Sequence, residues 1–142
     1  MKTINVFFLF LATVLVLSAC QSLETILPKN DGSWNLVKET INEYEDGVQT
    51  LTDSVTTFAT PDVYTFNEDG TGTYTDDGAT QSFNWTYNAD TEILSLDVDG
   101  ITLDFEVREW TKNDMKLFTS LEFEFFGTTF LSEYDWEFER AE

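Results

Sequence analysis

The sequence has no histidine, one cysteine and only 7 Lys+Arg, and each scarcity removes a class of chemistry. Without His there is no imidazole general base, no Ser-His-Asp triad and no imidazole metal ligand. A single cysteine forms no internal disulfide and no cysteine-based zinc site. Seven basic residues against 27 Asp+Glu give a formal net charge of -20, which argues against a nucleic-acid partner, because a phosphate backbone is bound by Lys and Arg. What is present is apolar and aromatic: at 42% hydrophobic and 15% aromatic the chain is too apolar for an acidic disordered tail. Its 142 residues suit one domain.

Lys2 is followed by an apolar run from Val6 to Val16 that only Thr13 interrupts, and Ser18, Ala19 and Cys20 close it. A basic start, about a dozen apolar residues and a small-residue end make a secretory signal pattern. A membrane-spanning helix needs ~20 apolar residues, whereas here polar residues follow Cys20 at once, with no basic stop-transfer cluster. Leu17-Ser18-Ala19-Cys20 resembles the lipobox of bacterial lipoproteins. The resemblance implies a signal peptide over 1–19, a diacylglyceryl thioether on Cys20 and a third acyl chain on its amine. Such chains anchor stably because each buried CH₂ contributes roughly 0.8 kcal/mol. Gln21 stands where inner-membrane lipoproteins often carry Asp, so the implied address is the outer membrane, with its face unspecified. Residues 20–31 read as lipidated cysteine and tether, in which Leu23, Ile26 and Leu27 are placed to form one helical turn against the body before Pro28. About eleven residues reach at most ~36 Å.

Removing residues 1–19 takes away Lys2 and no other charge, so the acidic imbalance grows by one. Only three of the 13 Phe leave with the signal, and the aromatics that remain suffice for a substantial core. Ile101, Leu103, Phe105 and Val107 alternate with Thr102, Asp104, Glu106 and Arg108. The same period of two runs through Met115, Leu117, Thr119, Leu121, Phe123 and Phe125, and again through Phe130, Ser132, Tyr134, Trp136 and Phe138. One apolar and one charged face at this period is a half-buried antiparallel strand; on a helix the charges would scatter round the cylinder. Asp46-Gly47, Asp69-Gly70, Asp77-Gly78 and Asp99-Gly100 are hairpin signals, and Asn88-Ala89-Asp90 and Lys112-Asn113-Asp114 supply two more turns. Strands are therefore expected at 33–44, 48–58, 62–67, 71–76, 80–88, 92–98, 101–110, 115–126 and 128–139. Eight or nine sequential hairpin strands make an all-β, up-and-down antiparallel meander within a domain of 32–142. Closure into a barrel removes its edges, and a two-sheet β-sandwich is the alternative.

Gly32-Ser33-Trp34 resembles the Gly-x-Trp signature of lipocalins. In that family the Trp packs across the closed end of an up-and-down barrel beneath an Arg from the last strand. Arg140, in phase with Trp136 and Phe138, is the matching residue, and Arg108 is a weaker candidate because it shares the outer face with Asp104 and Glu106. Stacking of Trp34 on Arg140 contributes roughly 0.5–2 kcal/mol. Residues 66–74 with 83–87 also resemble the lipocalin-like domains of small bacterial lipoproteins, especially those of Bacteroidetes, and the likeness covers most of 32–140. The chain is shorter than typical lipocalins and has neither their C-terminal helix nor a cysteine bridge.

The inward positions implied are Trp34, Phe83, Trp85, Tyr87, Leu103, Phe105, Phe123, Phe125, Tyr134 and Trp136. Two readings follow: an aromatic-lined pocket for a small hydrophobic or amphipathic ligand, or a barrel filled by its own side chains and acting through its acidic surface. Asp97 with Asp99, and Asp76 with Asp77, lack calcium-loop spacing and read as turns. Glu122 with Glu124, and Glu133 with Asp135, sit on polar strand faces, where no catalytic role is expected. Asp53-Ser54-Val55 resembles a short Bacteroidetes O-glycosylation sequon, with Ser54 as acceptor. No enzyme activity, cofactor or metal is expected. The expected partners are the membrane, through the lipid, and a small hydrophobic ligand, with the protein itself a monomer. Replacement Cys20→Ala is expected to block acylation and leave an unprocessed precursor, visible as a mass increase on intact-protein mass spectrometry. Soluble mature protein from that variant would contradict the lipobox assignment.

Overall fold

A computed structural model describes residues 22–56 and 62–141. Cys20, and with it the lipidation and signal-peptide assignments, lies outside the described residues. Within them the chain is all-β and antiparallel: β1 (Ser33–Glu45), β2 (Val48–Val55), β3 (Asp62–Phe66), β4 (Thr71–Asp76), β5 (Ala79–Asn88), β6 (Ile93–Val98), β7 (Ile101–Trp110), β8 (Asp114–Phe125) and β9 (Thr128–Arg140). Consecutive pairing from β3 to β9, with β1 bonded to both β3 and β9, closes eight strands into a lipocalin-like barrel rather than a sandwich. β2 is a ninth strand, hydrogen-bonded to β1 over Glu39–Glu45.

Period-two alternation is visible directly in burial. Phe105 and Val107 are buried between exposed Asp104, Glu106 and Arg108, and Phe83 and Trp85 between exposed Ser82, Asn84 and Thr86. The two ends of the barrel differ in their turns. At one end the chain reverses through Asp46-Gly47, Asp77-Gly78, Asp99-Gly100 and Phe126-Gly127, each pair with positive φ at both residues. This is the backbone of a type I′ hairpin turn, whose twist matches that of the strands. The opposite end uses longer loops, as at Asn67–Gly70, where Asp69 Oδ1 accepts from the Thr71 amide at 3.0 Å and Asn67 Nδ2 donates to Thr71 Oγ1 at 2.9 Å. The Trp85 indole N–H donates to the carbonyls of Asn67 (3.2 Å) and Thr71 (3.0 Å), fixing that loop across the barrel end.

The stretch read as a tether is largely part of the body. Helix α1 (Leu23–Ile26) and a short 3₁₀ turn (Asn30–Gly32) lie against the longer-loop end, and Leu23, Ile26 and Leu27 are buried in the core cluster. Apolar burial explains the docking, since three side chains of this kind each gain roughly 1.5–3 kcal/mol on leaving water. Two glycines are required by close approach. Gly72 makes room for the Phe83 ring, and Gly32 (φ +67°) sits directly beneath the Phe66 backbone carbonyl. A methyl group on Gly32 meets that carbonyl and holds a strained φ, so Gly32→Ala is expected to cost about 3 kcal/mol in urea unfolding, clearly more than Gly47→Ala, which at an open turn carries the positive-φ penalty alone.

Candidate functional site

The closed end is built around one cation. Trp34 and Arg140 are directly opposite on β1 and β9, and the Arg140 guanidinium lies 3.9 Å from the Trp34 ring centroid. Trp34 is fully buried, and its indole N–H donates to the Leu27 carbonyl at 3.1 Å. Arg140 Nη1 donates to the carbonyls of Leu27 (3.2 Å) and Lys29 (2.7 Å), and Nη2 to that of Ile26 (2.8 Å). One guanidinium thus caps the carbonyls of Ile26 and Leu27 at the end of α1, which a four-residue helix leaves without intrahelical donors, and ties down Lys29 beyond it. Burial draws the Arg140 pKa below its usual range, although the group stays cationic at neutral pH. Arg108 lies outside the barrel, as its neighbours imply, over the Phe118 ring and 2.7 Å from Asp135.

Above this floor the core is packed by rings in contact. Phe66 makes edge contacts with Phe83 and Trp85 at 5.5 and 5.6 Å, and Tyr64 an edge contact with Phe138 at 5.3 Å. Filling stops at the level of Phe105 and Trp136. Beyond them a cavity of about 370 Å³ opens at the type I′ end, lined by Tyr64, Tyr74, Phe83, Leu96, Phe105 and Trp136, among others. It falls within the size range of small-molecule sites. The barrel is therefore neither filled throughout nor a deep calyx: it is packed at the closed end and open at the type I′ end.

The predicted interior residues divide along that line. Trp34, Phe83, Trp85 and Phe105 are buried, while Tyr87, Leu103 and Trp136 are half-buried and packed on the core. Tyr134 points inward above the core and is half-buried. Phe123 and Phe125 are a correction: both are exposed and line no interior. The reason is strand length. The β7–β8 ladder ends at Glu106↔Phe118, whereas β8 and β9 continue together to Phe125↔Thr128. Past Phe118 no wall stands opposite, so the inward face of β8 meets solvent. Tyr64 and Tyr74, stacked at 5.3 Å in the mouth, are lining residues that sequence reading missed. Their signal was present, since Tyr64 and Phe66 alternate on the short β3, but one pair is too little for a periodicity argument.

The rim is acidic. Asp62 and Asp76 stand on the inward faces of β3 and β4 above Tyr64 and Tyr74, Asp99 borders the cavity, and Glu39 accepts the Trp136 indole N–H at 2.8 Å. Among the described residues, no Lys or Arg forms an ion pair with any of these four. Burial, with the charge of Asp76 next, raises the Asp62 pKa, and burial pushes the Tyr64 phenol up strongly. The other carboxylates weighed from sequence are dispersed. Glu133 accepts from the Tyr44 hydroxyl on the outer face at 3.2 Å, Asp135 pairs with Arg108, and Glu122 and Glu124 are exposed on β8. No three acidic or cysteine side chains among the described residues gather as a metal-ligand set. Ser54 is exposed on the outer face of β2, 3.2 Å from the Thr40 hydroxyl.

Comparison of the chain with protein-family models, with curated proteins and with solved structures finds no match. The site must therefore be read from its own geometry. For the closed end, Trp34→Ala is expected to cost about 3–5 kcal/mol in urea unfolding. Arg140→Met, which keeps the stem but removes the charged hydrogen bonds to the carbonyls of Ile26, Leu27 and Lys29, should cost about 2–3 kcal/mol. A loss under about 1 kcal/mol for either would show that the N-terminal segment docks without them.

Proposed function

We propose that this chain is a lipid-anchored envelope protein, akin to the lipocalin-like lipoproteins of Bacteroidetes, that holds a small hydrophobic or amphipathic molecule in the mouth of its barrel. The observation that carries the reading is the cavity of about 370 Å³: apolar, aromatic-walled, sealed below by packed rings and open at one end. Burying apolar ligand surface against Phe83, Leu96, Phe105 and Trp136 supplies the affinity. The rim supplies the selection. Glu39, Asp62, Asp76 and Asp99 surround the opening without basic partners, so an anionic headgroup is repelled, whereas a neutral or cationic one is tolerated or attracted. No catalytic step is assigned to these carboxylates.

Lipidation at Cys20 would give the mouth a direction. Leu23, three residues further on, is fully buried at the closed end. Three residues span at most ~11 Å, so acyl chains on Cys20 would hold the closed end at the outer-membrane surface and turn the mouth away from it. A ligand would then enter from the aqueous side rather than directly from the anchoring bilayer.

The experiment is a titration of residues 21–142 with dodecanol, dodecanoate and dodecyltrimethylammonium, followed by tryptophan fluorescence, since Trp136 lines the cavity. Saturable binding is expected for dodecanol and the cation, with dodecanoate at least ~10-fold weaker at low ionic strength and the gap narrowing in salt. Leu103→Trp, which places a larger ring in the cavity, is expected to abolish the signal change while the fold persists. If none of the three binds saturably, the cavity is vestigial and the alternative stands, namely an accessory lipoprotein acting through its acidic surface.

A further inference from the structure

We propose that the part of the sheet standing beyond the mouth is a docking surface for a cationic, amphipathic polypeptide segment. This surface is a flap of four strands in the order β2–β1–β9–β8, formed because β1, β9 and β8 run for 12 or 13 residues while β3, β4 and β6 run for five or six. Register assigns its faces. The Phe123–Phe130 pair stacks at 5.2 Å, and Trp136 bonds Glu39 on the inner side, whereas Tyr44 bonds Glu133 on the outer side. The inner face therefore carries Leu121, Phe123 and Phe125 from β8, Phe130 from β9, and Val48 and Leu51 from β2. Phe123 is 58% exposed and Phe125 61%. Leu121, Phe123, Phe125 and Phe130 form one exposed apolar strip, which the β1 glutamates separate from Val48 and Leu51, and a strip of this kind marks an interaction site.

The turn at the tip points the same way. Three of the four type I′ turns place Asp at the first positive-φ position, as Asp46, Asp77 and Asp99; the fourth places Phe126, at φ 51° and 93% exposed. Asp tolerates that conformation and solvent, whereas a bulky ring is disfavoured in both respects. Local strain of this kind is retained where a side chain is needed for contact. Phe126 packs only edge-on against Phe125, at 4.4 Å, which extends the apolar strip to the end of the hairpin.

Charge and edges identify the occupant. On the same inner face β1 presents Glu39, Glu43 and Glu45, interrupted by Ile41, whose β2 partner is Asp53, so a mostly acidic column lies beside the aromatic strip. A second copy laid face to face would set these carboxylates against each other, and an anionic bilayer would be repelled likewise. A partner with basic and apolar side chains satisfies both columns. The flap also has two open edges among the described residues: β2 bonds only to β1, and β8 beyond Phe118 bonds only to β9. Unpaired backbone along an edge is the template for strand addition, which is why the partner is polypeptide rather than a small cation.

The proposal does not rest on ligand binding in the mouth, and the test separates the two. A dye-labelled peptide of about eight residues alternating Lys and Leu, the length of the free β8 edge, is titrated against residues 21–142 by fluorescence anisotropy. It is expected to bind at least ~10-fold tighter than an alternating Glu/Leu peptide or a Lys/Ser peptide of equal charge. Phe126→Asp restores the sequence of the other three turns, and is expected to raise Tm while weakening the peptide at least ~3-fold. Phe123→Ser with Phe125→Ser should weaken it ~10-fold or more, and Glu43→Gln with Glu45→Gln should remove most of its salt dependence. Neutralising Glu122 and Glu124 on the outer face should leave binding unchanged. Equal binding of the Lys/Ser peptide would overturn the proposal by showing bulk charge attraction. So would full binding by the Phe variants, competition by saturating dodecanol, or a dimer in sedimentation that Phe123→Ser dissolves.

Discussion

The interaction on which the rest depends is the contact of Arg140 with Trp34 and the carbonyls of Ile26, Leu27 and Lys29. It joins the first and last strands of the barrel to the segment that precedes both. An up-and-down meander closes only if its two terminal strands pair, and these strands are separated by nearly the whole chain. Loop closure over that separation is entropically costly and slow to recover. A cation at the end of β9 that meets the ring at the start of β1 and also satisfies the end of α1 secures closure where it is otherwise weakest. It also seals the barrel floor, because the same hydrogen bonds hold Leu23, Ile26 and Leu27 over the opening.

The charge balance shows how selectively the few cations are used. Lys38, Arg108 and Lys116 pair with carboxylates on the outer surface at 2.6–3.0 Å, where solvent screens each pair and its chief effect is to relieve repulsion between strands dense in Asp and Glu. Among the described residues, Arg140 alone is turned to backbone carbonyls, which neither repel one another as carboxylates do nor titrate. At the mouth no Lys or Arg among the described residues pairs with the carboxylates, which stand unneutralised beside the cavity. An asymmetric distribution of this kind makes one end of the barrel a stable plug and the other a surface with electrostatic preference.

How much of this was legible in the sequence depends on the range of the signal. Strand limits are local, and alternation with Asp-Gly turns placed them within a residue or so for eight of the nine strands; β2 instead ends at Val55. The closing pair was legible too, because the phase of Trp136, Phe138 and Arg140 fixes a common side. What alternation cannot state is whether anything stands opposite an inward face. Phe123 and Phe125 share the phase of Met115 and Leu117, yet two of these side chains are buried and two meet water. The difference lies in where β7 stops pairing, a property of a distant strand. The Phe126-Gly127 reversal was placed by the strand limits alone: its first residue is the one that turn chemistry would not choose, so the Asp-Gly signal was absent where the backbone is the same.

That mismatch bears on how the mouth and the flap are related. If the long hairpin were merely a longer barrel wall, its inner face would be as polar as the rim of β5, where Gln81 takes over from Phe83. Instead three apolar residues, Leu121, Phe123 and Phe125, hold the inward positions of β8 beyond Thr119, and the strand ends on a ring held at an unfavourable φ. Stability of the isolated chain gains little from these residues, since they bury little, and solubility is reduced by them. The acidic column on β1 and the high net charge offset that loss while leaving the apolar strip accessible. A surface kept apolar against both costs, and kept soluble by charges placed beside it rather than within it, has the organisation of an interface awaiting a partner of opposite charge.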